Sequence, residues 1–258
     1  MNNKNKILIS AVSYLNTLPF THGIKNSKIS ESIELSLDIP SVCAEKVIQG
    51  KVDMGLIPIA GLLEMNAYHV ISDYCIGAEG AVNSVILMSN VPLNEIKSIY
   101  LDYQSKTSVI LCRILAAQFW KIDPEWISAQ PGYENEIKDT TAGLIIGDRV
   151  FTNRKKFLYQ YDLAEEWQKL TKLPFVFAVW ASREKLPEDF ISQFNDALSF
   201  GLSHKKEALK SWDKPLPDDF QALDYLENSI SYNLSQQKME AMKSYFLFAK
   251  ELVPAIFA

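Results

Sequence analysis

Short apolar runs alternate along this chain with longer stretches in which apolar residues recur every three or four positions. The runs predict strands at Lys6–Val12, Glu34–Ile39, Asp53–Pro58, Ser84–Ser89, Ile99–Asp102, Gly143–Gly147 and Phe175–Trp180. Several are apolar on consecutive residues, the pattern of a strand covered on both faces. Helices are expected between them, at Ser41–Gln49, Lys106–Trp120 and Leu163–Lys172. After Trp180 the texture changes: no convincing strand remains, Pro187 starts a long helical pattern, and a last helix carries Met239, Met242, Phe246, Ala249 and Leu252. Strands alternating with helices make this an α/β protein.

Two strand-like segments, Val82–Ser89 and Pro174–Trp180, each end a βα series. If both cross between lobes, the chain builds one lobe, visits a second and returns. Residues 1–88 with 182–258 then form lobe one and 89–181 form lobe two, with the C-terminal helices packed on lobe one. A ligand in such a fold sits in the cleft between lobes, met by turns at the carboxyl ends of strands and by helix N-termini.

The turn after the first strand reads Ser13-Tyr14-Leu15-Asn16-Thr17-Leu18-Pro19-Phe20. Asn16 and Thr17 either cap a helix containing Pro19 or, for Asn16, turn an amide into the cleft. Ser41, after Pro40, is a natural N-cap whose helix start also aims backbone amides at an anion. Asp53 to Pro58 reads as scaffold. Ser84 opens a candidate crossing strand and is placed to face the cleft, although a serine there is more often structural. Ser105, Thr107 and Ser108 set three hydroxyls around the start of the most apolar helix, which suits capping and carboxylate binding alike. Asp148 follows Gly147 at the end of an apolar strand; capping, orienting a partner and acid–base work are all open to it. The aromatic strand Phe175–Trp180 can wall a cleft for a flat ring.

Composition narrows the classes. The 258 residues are 48% hydrophobic, enough for a large core, and 26 Lys plus Arg against 31 Asp plus Glu leave a net charge of −5. With no basic stripe, nucleic acid and anionic membranes are not expected partners. Cys43, Cys75 and Cys112 lack metal-type spacing and read as buried free thiols of a reducing compartment. The N-terminus leads directly into the first strand without a leader-like apolar stretch, and the longest apolar run, near Val109 to Trp120, contains Arg113. A cytoplasmic location is the expectation. Metal-ligand clusters, Gly-rich nucleotide loops and nucleophile elbows are absent from the sequence, and His22, His69 and His204 stand isolated.

Taken in order, Ser-Tyr-Leu-Asn-Thr-Leu-Pro-Phe at 13–20, Pro-Ser at 40–41, Val-Asp-Met-Gly-Leu-Ile-Pro at 52–58 and Asn-Ser-Val-Ile-Leu-Met-Ser at 83–89 resemble the chorismate dehydratase family. So do Ser-Lys-Thr-Ser-Val at 105–109, Leu-Ile-Ile-Gly-Asp at 144–148 and Leu-Pro-Phe-Val-Phe-Ala-Val-Trp at 173–180. The likeness runs from about residue 6 to 250. It implies a two-lobed fold of the periplasmic-binding-protein type II kind. It also implies conversion of chorismate to 3-(1-carboxyvinyloxy)benzoate and water on the futalosine route to menaquinone, without a cofactor. Asn83 stands where the family pattern carries a basic residue.

Under that resemblance Asn16 and Ser84 lie nearest the reacting ring and orient the leaving hydroxyl. Ser105, Thr107 and Ser108 hold one carboxylate, with Ser41 assisting the other. The base is the substrate's own enolpyruvyl carboxylate or, as its protein-borne rival, Asp148. Three other readings stay open: a non-catalytic cytoplasmic binding protein for a small aromatic acid, a divergent lyase for a related cyclohexadiene acid, and the sister enzyme of the same pathway that makes the dihydroxynaphthoate. The last is expected to show a cleft histidine. Oligomeric state is not legible.

Overall fold

The apolar runs assemble into two separate sheets in the computed structural model, which describes residues 6–252. The described residues form eleven strands: β1 Ile7–Val12, β2 Ile33–Asp38, β3 Met54–Pro58, β4 His69–Ala78, β5 Val85–Ser89, β6 Ser98–Leu101, β7 Glu125–Ser128, β8 Thr141–Ile146, β9 Tyr159–Asp162, β10 Phe175–Ser182 and β11 Ser231–Asn233. The first sheet has the order β11-β4-β10-β3-β1-β2 and the second the order β7-β6-β8-β5-β9. In each, three strands run parallel and a strand arriving from the other lobe runs antiparallel: β10 against β3, and β5 against β8. The protein is therefore an α/β, two-lobed molecule.

The helices are α1 Leu18–Lys25, α2 Pro40–Ile48, α3 Ile59–Leu62, α4 Lys106–Leu115, α5 Arg149–Asn153, α6 Leu163–Thr171, α7 Glu188–Ser203, α8 Lys205–Leu209, α9 Ala222–Asp224 and α10 Gln236–Leu252. The apolar stretch expected as one helix to Trp120 is α4 followed by a π-helical turn, Ala116–Trp120, that Lys121 ends in the left-handed region. Among the described residues no helix is long and apolar enough to cross a membrane. The three cysteines are free and buried, and burial pushes each thiol up to about 12.

The exchange between lobes falls earlier than the 89 and 181 boundaries expected from the sequence. Val85–Ser89 belongs to the second sheet and Phe175–Ser182 to the first. Both strands are buried throughout, so an apolar run alone does not say which sheet it enters. Four strands escaped the periodicity. β4 carries Ser72 and Asp73 in mid-strand, which the Asn195 side chain of α7 meets at 2.7 and 3.1 Å. β7, β9 and β11 are short and lie at sheet edges, where half-polar sequence suffices.

The returning helices divide their contacts. α7 lies on α1 in the first lobe, the two backbones meeting where Gly23 and Gly201 face each other; a Cβ on Gly201 would sit 1.9 Å from the Pro19 carbonyl oxygen. α10 is not confined to that lobe. Its buried face is Lys238, Ala241, Met242, Tyr245 and Ala249, rotated from the expected stripe so that Met239 is exposed. Tyr245 meets Trp167 of the second lobe and Phe175 of the first edge-on, and its hydroxyl donates to the Thr107 carbonyl at 3.1 Å.

Because no side chain fits between α1 and α7, Gly201→Ala is expected to lower the unfolding free energy by about 1–3 kcal/mol or more. Denaturant unfolding measures this, and a variant as stable as wild type would show that the helices separate at no cost.

Candidate functional site

The cleft between the sheets is walled by the strand ends and turns that the topology brings there. Val12, Pro40, Pro58, Ile76, Val82, Val85, Ile146 and Phe177 give it an apolar lining. The polar groups at its surface are Tyr14, Asn16, Thr17, Ser84, Ser105 and Ser108. Among the described residues none of those lining the cleft carries a formal charge.

Each of these polar groups is held by a neighbour. Ser84 is buried and accepts a 2.8 Å hydrogen bond from the Tyr225 hydroxyl, which leaves Ser84's own proton to be donated. The Asn16 amide oxygen accepts from Thr17 at 3.2 Å, so its N–H groups remain for other partners. The Asn16 carbonyl accepts from Tyr232 at 3.0 Å. Ser105 is the N-cap of α4, its hydroxyl accepting from the Ser108 backbone N–H at 3.3 Å and lying 3.2 Å from the Ser108 hydroxyl. Capping and cleft lining thus coexist at that helix start.

Of the residues singled out in the sequence, Asn16, Ser84, Ser105 and Ser108 come together here. Three sit elsewhere. Thr107 is fully buried with its hydroxyl accepting from the Ala60 N–H at 3.0 Å, a bond between lobes. Ser41 is not the N-cap of α2: Pro40 takes the first helical position after Ile39, and the Ser41 side chain lines a separate groove with Glu45, Glu64 and Lys106. Thr17 and Asp148 likewise make no side-chain cap. Asp148 instead accepts from the Leu15 N–H across the cleft mouth at 3.1 Å.

Further bonds join the lobes beside the cleft. Ser41 N–H donates to the Gln104 carbonyl at 3.2 Å, and the Tyr14 hydroxyl donates to the Gln104 side chain. The Tyr14 ring lies on Gly147, whose φ of 64° and whose neighbourhood both exclude a side chain, since a Cβ there would come within 2.8 Å of the ring. Formal charge is kept one layer back. Asp102 accepts from Gln104 N–H and Tyr133 at 2.8 Å each and is paired with Arg149, which also meets Glu134 at 2.7 Å. Burial holds the Asp102 carboxyl above its ordinary range, with Arg149 pulling it back. Burial also pushes Asp148 up to about 6, opposed by the Leu15 N–H and by Lys214, whose ammonium donates to the Ser13 carbonyl.

Sequence reasoning missed Gln104, Lys214, Tyr225 and Tyr232 as neighbours of the site. Tyr14 was within reach, standing in the same turn as Asn16. The other tyrosines lie in a segment that carries no local signal of its destination.

A sequence model of the family described as menaquinone biosynthesis matches residues 7–251. A curated protein named chorismate dehydratase, from Thermus thermophilus, is 23% identical over 90% of this chain and 91% of its own length. Among solved structures, a protein from Archaeoglobus fulgidus superposes with a TM-score of 0.71 at 16% identity, over 97% of this chain and 98% of its own. A Candida albicans protein described as having the generic periplasmic binding protein fold gives 0.63 at 15% identity, over 97% and 95%. At these identities the superpositions speak for the fold, which is that of the periplasmic binding proteins.

The buried Asp148 carboxyl predicts a pH dependence. With a native value of about 6 against the ordinary 3.8, the folded state holds this proton more tightly than the unfolded chain. The stability it contributes is present below the unfolded value and lost as pH rises through about 6. Asp148→Asn keeps an acceptor for Leu15 and carries no charge. It is expected to flatten the unfolding free energy between those values and to gain up to about 2–3 kcal/mol at neutral pH. Denaturation curves across that range check it; an Asn variant less stable at neutral pH would mean the carboxylate is needed charged.

Proposed function

The chain belongs to the menaquinone-biosynthesis family, and from that membership we propose that it is a carbon–oxygen lyase that dehydrates chorismate to 3-(1-carboxyvinyloxy)benzoate, on the futalosine route and in the cytoplasm. The observation that carries the proposal is the cleft itself: apolar walls, two hydrogen-bond donors, Asn16 and Ser84, and the Ser105–Ser108 helix start, with charge held back. The likeness to a protein named chorismate dehydratase points the same way. The three buried free thiols fit a reducing compartment.

In this reading the substrate ring lies between Phe177 and the apolar wall, and one carboxylate rests on the N–H groups and hydroxyls at the start of α4. The ring C–H beside the ether oxygen gives up its proton, the bond from the adjacent ring carbon to its hydroxyl breaks, and the hydroxyl leaves with a proton as water. The ring gains aromaticity, so positioning supplies much of the catalysis. Asn16 and Ser84 donate to the departing hydroxyl. Asp148 turns its carboxylate to Leu15 and is not among the lining residues, which leaves the enolpyruvyl carboxylate of the substrate as the base.

Purified protein mixed with chorismate is expected to yield a product lighter by one water with a benzoate ultraviolet spectrum. Binding without mass change would replace the lyase by a binding protein for small aromatic acids. Ser84→Ala and Asn16→Ala are each expected to lower kcat roughly hundred-fold, the cost of one lost donor to a developing oxyanion. Asp148→Asn retaining near-normal turnover would exclude that carboxylate as the base.

A further inference from the structure

Ser84 has one hydrogen-bond partner for its hydroxyl among the described residues, and that partner comes from far along the chain: Tyr225, 141 positions away. We infer that Tyr225 is a positioning residue that fixes the direction of the Ser84 hydroxyl, delivered to it by the segment Pro217–Ser229 acting as a strap across the second lobe. The inference rests on the dehydration reading of the cleft and adds to it the group behind one of its two donors.

A serine hydroxyl rotates freely unless a neighbour fills one of its lone pairs. Tyr225 does so at 2.8 Å, inside a region where both side chains are buried. With its oxygen occupied from behind, Ser84 presents its proton to the cleft, where the departing hydroxyl needs it. Burial keeps the Tyr225 phenol far above neutral pH, Ser84 and Asn16 opposing that shift and Asp148 adding to it, so the group stays an O–H donor.

The strap explains why a tyrosine from the returning segment reaches this point. Phe220 stacks on Phe151 of α5 with ring centroids 3.9 Å apart, and Tyr225 meets the same Phe151 edge-on at 5.0 Å. The α9 turn, Ala222–Asp224, runs into a π-helical turn, Tyr225–Ser229, a geometry that recurs at functional sites. The far end is tied down by the Asn83 side chain, which donates to the Ser229 hydroxyl at 3.0 Å from the residue next to Ser84. Asn83 is itself in the left-handed region, with φ of 60°, and its backbone N–H is bonded to Asp162 at 2.7 Å. The strap thus touches both Ser84 and its neighbour.

A purely structural tyrosine and a positioning tyrosine differ in what their removal does once Ser84 is gone. The test is a double-mutant cycle on chorismate turnover, with steady-state kcat and KM for single variants and single-turnover rates for slow ones. Tyr225→Phe keeps the ring against Phe151 and removes only the hydroxyl. It is expected to lower kcat roughly ten-fold with KM changed by less than about two-fold, the loss of about one hydrogen bond in the transition state. In a Ser84→Ala background the same substitution is expected to change the rate by less than about two-fold. Phe220→Ala is expected to reproduce the kcat loss by loosening the strap, and Phe220→Tyr, which keeps a stacking ring, to restore it. Wild-type kcat in Tyr225→Phe, or an equal ten-fold loss in both backgrounds, would overturn the positioning role while leaving the dehydration reading intact. Wild-type protein that leaves chorismate unchanged would overturn that reading and this inference together.

Discussion

The cleft depends on one buried carboxylate. Asp162 ends β9 and caps α6 by accepting from the Ala164 and Glu165 N–H groups at 3.0 and 3.2 Å. The same carboxylate accepts from Val82 and Asn83, at 3.1 and 2.7 Å, where the chain first crosses between lobes. Burying a charged carboxylate is costly, and burial indeed holds Asp162 above its ordinary range. Four backbone donors offset that cost, and in doing so they set the position of the residue that follows, Ser84. A crossing segment has no helix or sheet ladder of its own to satisfy its N–H groups, so a side chain must supply the acceptors. The site residue is therefore placed by the accounting of backbone hydrogen bonds at the crossing.

A neutral cleft suits the proposed chemistry better than a charged one. Chorismate carries two carboxylates, and an arginine against either would bind it strongly. Yet an ion pair lowers the proton affinity of a carboxylate, and the one expected to remove the ring proton must remain a base. Helix N–H groups and hydroxyls give direction with only partial charge. Arg149 and Lys214 meet this demand from behind. Arg149 is paired with Asp102 and Glu134, and Lys214 lies outside the lining and meets the Ser13 carbonyl.

Much of this was legible in the sequence, and the parts that were not share a cause. Strands buried on both faces announced themselves as apolar runs, whereas β4, with Ser72 and Asp73 satisfied by Asn195, did not. The βα turns pointed to Asn16, Ser84, Ser105 and Ser108 because strand ends must converge on a cleft. Helical spacing separates Thr107 from its neighbours: Ser105 and Ser108, three apart, share a face, and Thr107 faces Ala60 instead. Ser41 was displaced because Pro40 already occupies the first helical position. Tyr225 and the sheet assignment of β5 and β10 are products of tertiary pairing, which no local pattern encodes.

The returning segment does more than complete the first lobe. It brings three tyrosine hydroxyls to three parts of the site: Tyr225 to the Ser84 hydroxyl, Tyr232 to the Asn16 carbonyl and Tyr245 to the Thr107 carbonyl in the first turn of α4. These acceptors belong to the first crossing, the first lobe and the second lobe in turn. Lys238 holds the middle of the segment, its buried ammonium donating to the Ser231 and Asn233 carbonyls at 2.8 and 2.7 Å and to the Ser231 hydroxyl at 2.6 Å, which fixes the short strand β11. Three residues of edge strand would hold such a segment weakly by themselves. With the lysine in place, the three hydroxyls act from one ordered piece of chain, and Asn16 and Ser84 keep their register against the start of α4.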